Sequence, residues 1–364
     1  MITGGANKMI SASAFVDTLK TLHVDFFVGV PDSLLKSFCA YVTDNCGENH
    51  VIAANEGGAV GLAAGHYLAT GKPALVYMQN SGQGNAVNPL CSLADPDVYS
   101  IPMVLLVGWR GEPGVKDEPQ HVKQGKVTVL LFETLGIPTE ILPDDDDSAA
   151  DVTRKMVERA KAESRPVALI VRKGLFAEYK LQNKKPDIAA LPREQAIEDV
   201  LKSLPDDAVV VSTTGMISRE VYETRERLGQ DHSRDFLTVG SMGHASMIAL
   251  GIAKAQPDRK VYCLDGDGAS IMQMGNMSIV GSSECANLTH VVFNNAAHDS
   301  VGGQPTVGSS ISLPIIATAC GYNQPGHPTF KMILVAKGAR KDLGRPKEPP
   351  QVNKALYMKT LGVV

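Results

Sequence analysis

Two short polar motifs follow apolar, β-branched runs in the second half of the chain. The first is Gly-Asp-Gly at 266–268, and the second is Asn-Asn at 294–295, with the 25 residues 269–293 between them. A glycine-flanked turn at the start of a helix lets backbone N–H groups approach a phosphate. Asp267 offers a carboxylate oxygen and Asn295 an amide oxygen, which are ligands that Mg²⁺ prefers. Either motif alone is equally an ordinary turn, but together they predict a metal-assisted diphosphate site.

A third candidate for chemistry is Glu56, within the stretch ANEGGAVGLAAG (54–65). It stands where a predicted strand ends and a predicted helix begins. A carboxylate at that place can simply stabilise the helix N-terminus. The residues around it do not by themselves assign it another role.

The elements that would position these residues alternate between short strands and helices, which is typical of a mostly parallel sheet flanked by helices. We therefore predict an α/β fold. In the first half we predict strands at 26–30, 51–53, 74–78, 103–107, 138–142 and 167–171, and helices at 12–22, 57–69 and 149–162. In the second half we predict strands at 208–212, 260–264 and 289–293, and helices at 194–204, 245–255 and 270–280.

The polar, proline-bearing stretch 181–192 interrupts this alternation and is the predicted linker. It separates a first domain, residues 1–180, from a second domain, residues 193–364. A chain of 364 residues has material for two such domains, each with its own core.

Composition argues against several classes of partner. With 35 basic and 39 acidic residues mixed along the chain, the formal charge is −4, and no basic stretch indicates nucleic acid or anionic lipid. The six cysteines show no CxxC spacing. No apolar stretch approaches the ~20 residues that a membrane span needs. We expect a cytoplasmic protein with a small-molecule substrate.

The motifs and their order resemble the phosphonopyruvate decarboxylase family of thiamine diphosphate-dependent enzymes, with sulfopyruvate decarboxylases as close kin. The similarity runs from about Val28 to the C-terminus. It rests on GVPDSLLK (29–36), ANEGGAVGLAAG (54–65), MQNSGQGNAVNPL (78–90), GWRGEPGVKDEPQH (108–121), STTGMISRE (212–220), GSMGHAS (240–246), DGDGAS (265–270) and NNAAHDSVGGQPT (294–306). The resemblance implies a pyrimidine-binding domain followed by a diphosphate-binding domain, with no middle domain between them.

The resemblance also implies roles for individual residues. Glu56 would hydrogen-bond the aminopyrimidine of thiamine diphosphate and promote formation of its ylid, and Met242 would support the bent cofactor. Mg²⁺ would be held by Asp267, Asn295 and the backbone carbonyl of Ala297. Further cofactor contacts would come from Thr214, Gly240, Gly266, Gly268, Ala269 and Ser270. Because different subunits of such enzymes hold the two halves of the cofactor, the smallest active unit would be a homodimer.

The implied reaction releases CO₂ from phosphonopyruvate and yields phosphonoacetaldehyde, in phosphonate biosynthesis. Asp32, Ser33, His121 and His298 are the candidate catalytic groups, since titratable side chains must manage protons near the reacting carbon. The phosphonate needs cations and N–H donors. For that contact we expect Arg110, Lys116, Gln120 and Gln304. Any of these side chains could instead be a solvated or packing residue.

Two departures from the family pattern stand out. Ala296 occupies a position where relatives commonly have glycine, beside the expected metal ligands. Between Tyr322 and His327 the chain reads only NQPG, where relatives carry a strand and a helix. Two other functions stay open: decarboxylation of sulfopyruvate or another 2-oxo acid, and a catalytically silent subunit that binds a partner.

Overall fold

A computed structural model describes residues 9–363 of the chain. The chain forms two compact units, of which unit 1 ends at Lys184 and unit 2 begins at Lys185. This boundary falls inside the stretch 181–192. Each unit is an α/β structure built around its own parallel sheet, so the predicted fold class is confirmed.

Unit 1 contains a six-stranded parallel sheet in the order β2-β1-β3-β4-β6-β5. Its strands are β1 (Phe27–Gly29), β2 (His50–Ile52), β3 (Leu75–Gln79), β4 (Met103–Gly108), β5 (Thr139–Ile141) and β6 (Pro166–Val171). Its helices are α1 (Ala12–Thr21), α2 (Lys36–Asn45), α3 (Glu56–Thr70), α4 (Gln83–Pro89), α5 (Pro119–Thr134) and α6 (Asp146–Glu163).

The central strands of unit 1 are buried on both faces, as expected for a parallel sheet covered by helices. Every residue of β4 and of β6 is buried. Alternate side chains enter different cores: Val104 and Leu106 pack on one face, while Leu105 and Val107 pack on the other. This alternation follows from the two-residue period of a strand, and it places the carboxyl ends of the strands along one edge.

Unit 2 contains a five-stranded parallel sheet in the order β13-β10-β9-β7-β8 and a two-stranded antiparallel ribbon. The sheet strands are β7 (Val209–Ser212), β8 (Asp235–Leu237), β9 (Val261–Gly266), β10 (Leu288–Asn294) and β13 (Thr329–Leu334), and the ribbon is β11 (Ala297–His298) with β12 (Gln304–Pro305). The helices are α7 (Arg193–Lys202), α8 (Met216–Arg227), α9 (Ala245–Ala255), α10 (Asp267–Met272), α11 (Gly275–Gly281), α12 (Leu313–Ala319) and α13 (Pro350–Thr360).

All the predicted strands are present with bounds within two residues of the prediction. One predicted helix is wrong: residues 270–280 form parts of two helices, α10 and α11, rather than one. The break lies at Gln273, whose φ of −126° and ψ of 49° leave the helical region. Apolar spacing continues across the break, so it could not be read from periodicity.

The short segment between Tyr322 and His327 is still followed by a strand of the sheet, β13. The side chain of Tyr322 is fully buried in the core of unit 2. After a turn at Asn323, which has a φ of 64°, the chain enters β13, and β13 pairs with β10 along six residues. The short connection therefore still allows β13 to pair with β10 at the edge of the sheet.

Among residues 9–363, none of the helices combines the length and the apolarity that crossing a lipid bilayer requires.

Candidate active site

A cleft in unit 2 lies where β7, β9 and β10 end, which is the usual ligand position in open parallel sheets. It brings together nine of the residues expected at the cofactor or the reacting carbon: Thr214, Met242, Gly266, Asp267, Gly268, Ala269, Asn295, Ala297 and His298. Two glycines and the three candidate metal ligands thus share one cavity, although they come from motifs almost thirty residues apart.

Asp267 is the first residue of α10, directly after β9 ends at Gly266. Its side chain is buried, and Thr306 Oγ1 donates a hydrogen bond to its Oδ2. Burial raises the pKa of Asp267 to about 6, although this hydrogen bond and backbone N–H donors oppose the shift. A buried carboxylate of this kind is well suited to a cation, which would favour its charged form.

The amide of Asn295 is fixed by two hydrogen bonds. Its Nδ2 donates to Asp299 Oδ2 at 2.6 Å. Its Oδ1 accepts the Ala297 N–H at 3.0 Å. Asp267 and Asn295 supply hard oxygen donors, and Ala297 lines the same cleft, so the side chains present fit a magnesium ion.

His298 lies beside the glycine-rich turn. A Cβ built at Gly268 would come within 3.1 Å of the His298 ring, so only glycine leaves the ring its present position. Burial lowers the pKa of His298 to about 4, against the opposing charge of Asp299. The imidazole is therefore neutral near pH 7 and can accept a hydrogen bond or a proton.

Gln304 pairs with His298 in the β11–β12 ribbon and is fully buried. Neither polar atom of its side chain has a hydrogen-bond partner among the described residues, and the same is true of Thr213 Oγ1. Unpaired buried polar atoms are costly. Thr213 lines the cleft, so a ligand there has a donor or acceptor available to it.

Two of the cofactor residues expected in unit 2 do not line the cleft, namely Gly240 and Ser270. Ser270 Oγ donates to Asp265 Oδ2 at 3.1 Å, and this hydrogen bond stabilises the Gly-Asp-Gly turn outside the cleft. Asp265 also lies 3.3 Å from His290 Nε2. The ligand atoms of Cys263, Asp265 and His290 are mutually within 4.8 Å, but the last two already hydrogen-bond each other, and we assign no metal to them.

In unit 1, Glu56 is the first residue of α3 and its side chain is buried. Asn85 Nδ2 donates to its Oε2 at 2.7 Å. A Cβ built at Gly82 would lie 2.1 Å from Glu56 Oε1, so the carboxylate rests against the backbone of that glycine. Burial raises the pKa of Glu56, and the hydrogen bond from Asn85 opposes the shift only in part.

A second group of expected residues lies at the carboxyl ends of β1, β3 and β4. Asp32 is fully buried, and burial raises its pKa although Gln79 Nε2 donates to it at 2.5 Å. Ser33 Oγ accepts from Arg110 Nη1 at 2.8 Å. Residues 79–85 therefore contact both groups, since Gln79 bonds Asp32 while Gly82 and Asn85 meet Glu56.

Arg110 is already paired with a carboxylate. Its Nε donates to Asp117 Oδ2 at 2.7 Å, and its Nη2 donates to Asp117 Oδ1. Lys116, on the same loop, is exposed. Of the two cations expected to bind the phosphonate, the guanidinium of Arg110 is thus partly neutralised by Asp117, and the side chain of Lys116 is exposed to solvent.

Gln120 and His121 lie in the first turn of α5. Gln120 Oε1 and His121 Nδ1 are buried without a hydrogen-bond partner in the described structure. Burial, followed by the charge of Arg110, lowers the pKa of His121 to about 4. These two side chains have unused hydrogen-bonding capacity, as groups that meet a ligand would.

The sequence did not assign roles to several residues that line the cleft of unit 2: Arg193, Thr213, Met216, Ile217, Phe293, Asp299 and Ser300. Thr213, Met216 and Asp299 belong to the motif stretches already quoted. Their position within these motifs could therefore have indicated that they line the site. Arg193 had none, because it reaches the cleft from the start of α7.

Comparison with known proteins matches both units. Residues 9–130 match the thiamine pyrophosphate enzyme N-terminal TPP binding domain, and residues 213–356 match the corresponding C-terminal TPP binding domain. The chain is 35% identical to a phosphonopyruvate decarboxylase of Streptomyces hygroscopicus, covering 94% of this chain and 92% of that one.

Two further relatives were found. The phosphonopyruvate decarboxylase of Streptomyces viridochromogenes is 34% identical, covering 94% of this chain and 92% of its own. A sulfopyruvate decarboxylase of Methanosarcina acetivorans is 28% identical, covering 84% of this chain and 81% of its own.

Proposed function

This chain belongs to the phosphonopyruvate decarboxylase family of thiamine pyrophosphate enzymes, and on that basis we propose that it converts phosphonopyruvate to phosphonoacetaldehyde and CO₂. We propose thiamine diphosphate and Mg²⁺ as its cofactors. The observation that carries the proposal is the cleft of unit 2, in which Asp267, Asn295 and Ala297 line one cavity with the glycine-rich turn.

The cleft would hold the diphosphate end of the cofactor. Gly266 and Gly268 leave the backbone open at the start of α10, where N–H groups are available to phosphate oxygens. Asp267 and Asn295 would supply oxygen atoms to Mg²⁺, with the Ala297 carbonyl as a third ligand. Met242 and Thr214, which line the same cavity, would contact the rest of the cofactor, together with Ala269.

Glu56 would act on the aminopyrimidine end. When bound, thiamine diphosphate supplies the carbon nucleophile and the electron sink for decarboxylation. Glu56 contributes a carboxyl group in a buried site that favours its protonated form. It can therefore hold or release a proton at a fixed position, which is what general acid–base assistance needs.

The expected substrate-binding residues would supply hydrogen bonds and charge to phosphonopyruvate. Gln120 Oε1, His121 Nδ1 and both polar atoms of Gln304 are buried without a partner among the described residues. Gln304 Nε2, and His121 Nδ1 in the tautomer that carries its proton there, can donate to a carboxylate or phosphonate oxygen, whereas Gln120 Oε1 can only accept from a donor. His298 is neutral and adjoins the metal ligands. Asp32 and Ser33 would face the reacting carbon, with Arg110 and Lys116 as the nearby cations.

We propose residues 1–180 as the pyrimidine-binding domain and residues 193–364 as the diphosphate-binding domain. The active unit would be a homodimer or larger homo-oligomer in which the cofactor is shared between subunits, as the family resemblance implies. This arrangement lets Glu56 of one subunit serve a cofactor that another subunit holds by its diphosphate.

The test is to assay CO₂ release by the purified chain from phosphonopyruvate, sulfopyruvate and pyruvate side by side, with thiamine diphosphate and Mg²⁺. We expect phosphonopyruvate to have the highest kcat/KM. Equal or better turnover of sulfopyruvate would reassign the substrate, as the similarity to a sulfopyruvate decarboxylase allows. Absence of both turnover and cofactor binding would indicate a silent subunit.

A further inference from the structure

A buried ionic network lies directly behind Asn295. Arg193 binds Glu220 through two hydrogen bonds, Nε to Oε2 at 2.7 Å and Nη2 to Oε1 at 3.0 Å. Its Nη1 donates to Asp299 Oδ2 at 3.0 Å. The side chains of Arg193 and Glu220 are 5% and 2% exposed, and that of Asp299 is 11% exposed. Removing charged side chains from water costs much free energy. Such a buried network is therefore stable only when its charges are paired and its hydrogen bonds are formed.

The network ends on one oxygen atom. Asp299 Oδ2 accepts from Arg193 Nη1, from the Gly338 N–H at 2.8 Å and from Asn295 Nδ2 at 2.6 Å. Three donors from separate parts of unit 2 fix this carboxylate in place. Asn295 is the only one of the three that also lines the cleft as an expected metal ligand.

The consequence concerns the orientation of the Asn295 amide. An amide group has one end that donates and one that accepts, and a flip by 180° exchanges them. Asp299 is an acceptor, so it selects the orientation in which Nδ2 faces it. The oxygen then accepts the Ala297 N–H at 3.0 Å and keeps a lone pair for a cation. In the flipped amide an NH₂ group would face both the cation and the Ala297 N–H.

We infer that Asp299, held by Arg193 and Glu220, is a positioning residue that fixes the Asn295 amide with its oxygen available to the metal. The inference rests on the proposed Mg²⁺ site and adds the residues that orient one of its ligands. Arg193 itself is committed to its carboxylate partners, which distinguishes it from a free cation that would bind a phosphate.

The test measures binding rather than turnover. Equilibrium dialysis of thiamine diphosphate against the purified full chain, across a range of Mg²⁺ concentrations, gives the Mg²⁺ concentration at half-saturation. We expect Asp299→Ala to raise that concentration by about 10–100-fold, the usual effect of removing a residue that orients a metal ligand. Asp299→Asn keeps an oxygen that can accept from Asn295 Nδ2, so it should restore most of the affinity.

Unit 2 offers a matched control. Arg225 binds Asp235 through two hydrogen bonds of 2.9 Å each, and both side chains are buried. Asp235 does not line the cleft. Asp235→Ala, or Asp235→Asn if the alanine variant does not fold, should lower the unfolding temperature of the cofactor-free chain without changing the Mg²⁺ requirement.

A double variant shows whether Asp299 acts through Asn295. If it does, Asn295→Ala and Asn295→Ala combined with Asp299→Ala have the same Mg²⁺ requirement, since the second change has nothing left to orient. Multiplied effects in the double variant, or an unchanged requirement in Asp299→Ala, would overturn the inference. A wild-type chain whose thiamine diphosphate binding does not depend on Mg²⁺ would instead overturn the proposed function.

Discussion

The Glu56 carboxyl group has little freedom to move. The backbone of Gly82 bounds one oxygen, and the amide of Asn85 binds the other. Burial at the start of α3 raises its pKa, so less free energy separates its protonated and ionised forms near neutral pH than for a solvated glutamate. A residue with these properties is suited to exchange one proton with a bound ring.

Glu56→Gln tests this role without removing the Asn85 contact, because an amide oxygen can still accept from Asn85 Nδ2. We expect kcat to fall by about 10²–10⁴-fold, the range for loss of a general acid–base group, while thiamine diphosphate affinity changes little. Steady-state assays and equilibrium dialysis measure the two quantities. Glu133→Gln, at an exposed site on α5, is the control, and full activity of the Glu56 variant would refute the proton role.

Gly82 is predicted to be intolerant of any side chain. In Gly82→Ala the new methyl group would overlap Glu56 Oε1 and Cδ, both within 2.3 Å, so the carboxylate must move. We expect at least a tenfold loss of kcat at this position. Gly84→Ala is the matched control, because nothing lies within 4 Å of its Cβ. Equal activity of the two variants would show that the carboxylate position is not critical.

Ala296 adopts a backbone conformation that favours glycine, with a φ of 56°. The departure from the family pattern therefore has a physical cost at the loop that carries the metal ligands. Ala296→Gly should stabilise the protein by up to about 1 kcal/mol, since the left-handed region strains a Cβ. Thermal unfolding measures the change. Ala355→Gly, at an exposed position within α13, should be destabilising by about 1 kcal/mol, so the two variants are expected to differ in sign.

At the scale of elements, the loop between β4 and α5 depends on Asp117. This carboxylate accepts from Arg110 Nε, from the Gly111 N–H at 2.8 Å and from the Glu118 N–H at 2.8 Å. Burial opposes its ionisation, but the hydrogen bonds from Arg110 and Gly111 and the charge of Arg110 lower the pKa of Asp117 to about 2. The ionised form of Asp117 therefore stabilises the conformation of the loop between β4 and α5.

Asp117→Asn should lower stability by about 2 kcal/mol at pH 7, because hydrogen bonds to a charged acceptor are lost. The sign of the pH dependence follows from the lowered pKa. The contribution of Asp117 is complete above its unfolded pKa of about 4 and is lost as the pH falls towards 2. Wild type and variant should therefore converge in acid.

Urea unfolding followed by fluorescence of Trp109, the one tryptophan of the chain, reports on this loop directly. Asp151→Asn removes an exposed ion pair with Arg154 and should change stability by less than about 1 kcal/mol. A constant difference between wild type and Asp117→Asn from pH 7 to pH 2 would contradict the assignment.

The regular elements around the site could be predicted because their signals are local. Val261–Gly266 is an apolar run that ends in glycine, and it forms β9 followed at once by α10. The break at Gln273 could not be predicted, since nearby residues keep the apolar spacing of a helix. The short ribbon of β11 and β12, two residues each, also lies below the length at which alternation gives a signal.

At the scale of the whole molecule, the expected site residues divide between the two units. Glu56, Asp32, Ser33, Arg110 and His121 belong to unit 1, whereas the proposed metal ligands belong to unit 2. Sequence motifs were sufficient to propose both sets. They could not predict the pairing of Arg193 with Asp299, because 106 residues separate the two and a buried ion pair leaves no local pattern in sequence.

The most direct test of the central claim, that Glu56 serves a cofactor bound by the Asp267 cleft, is complementation between two inactive variants. Glu56→Gln and Asp267→Asn are coexpressed with different affinity tags, and the mixed dimer is isolated through both tags. If one subunit supplies Glu56 and the other supplies Asp267, one of the two sites is wild type, and we predict about half of the wild-type kcat per dimer. A mixed dimer as inactive as each parent, although both chains are folded, would contradict the account.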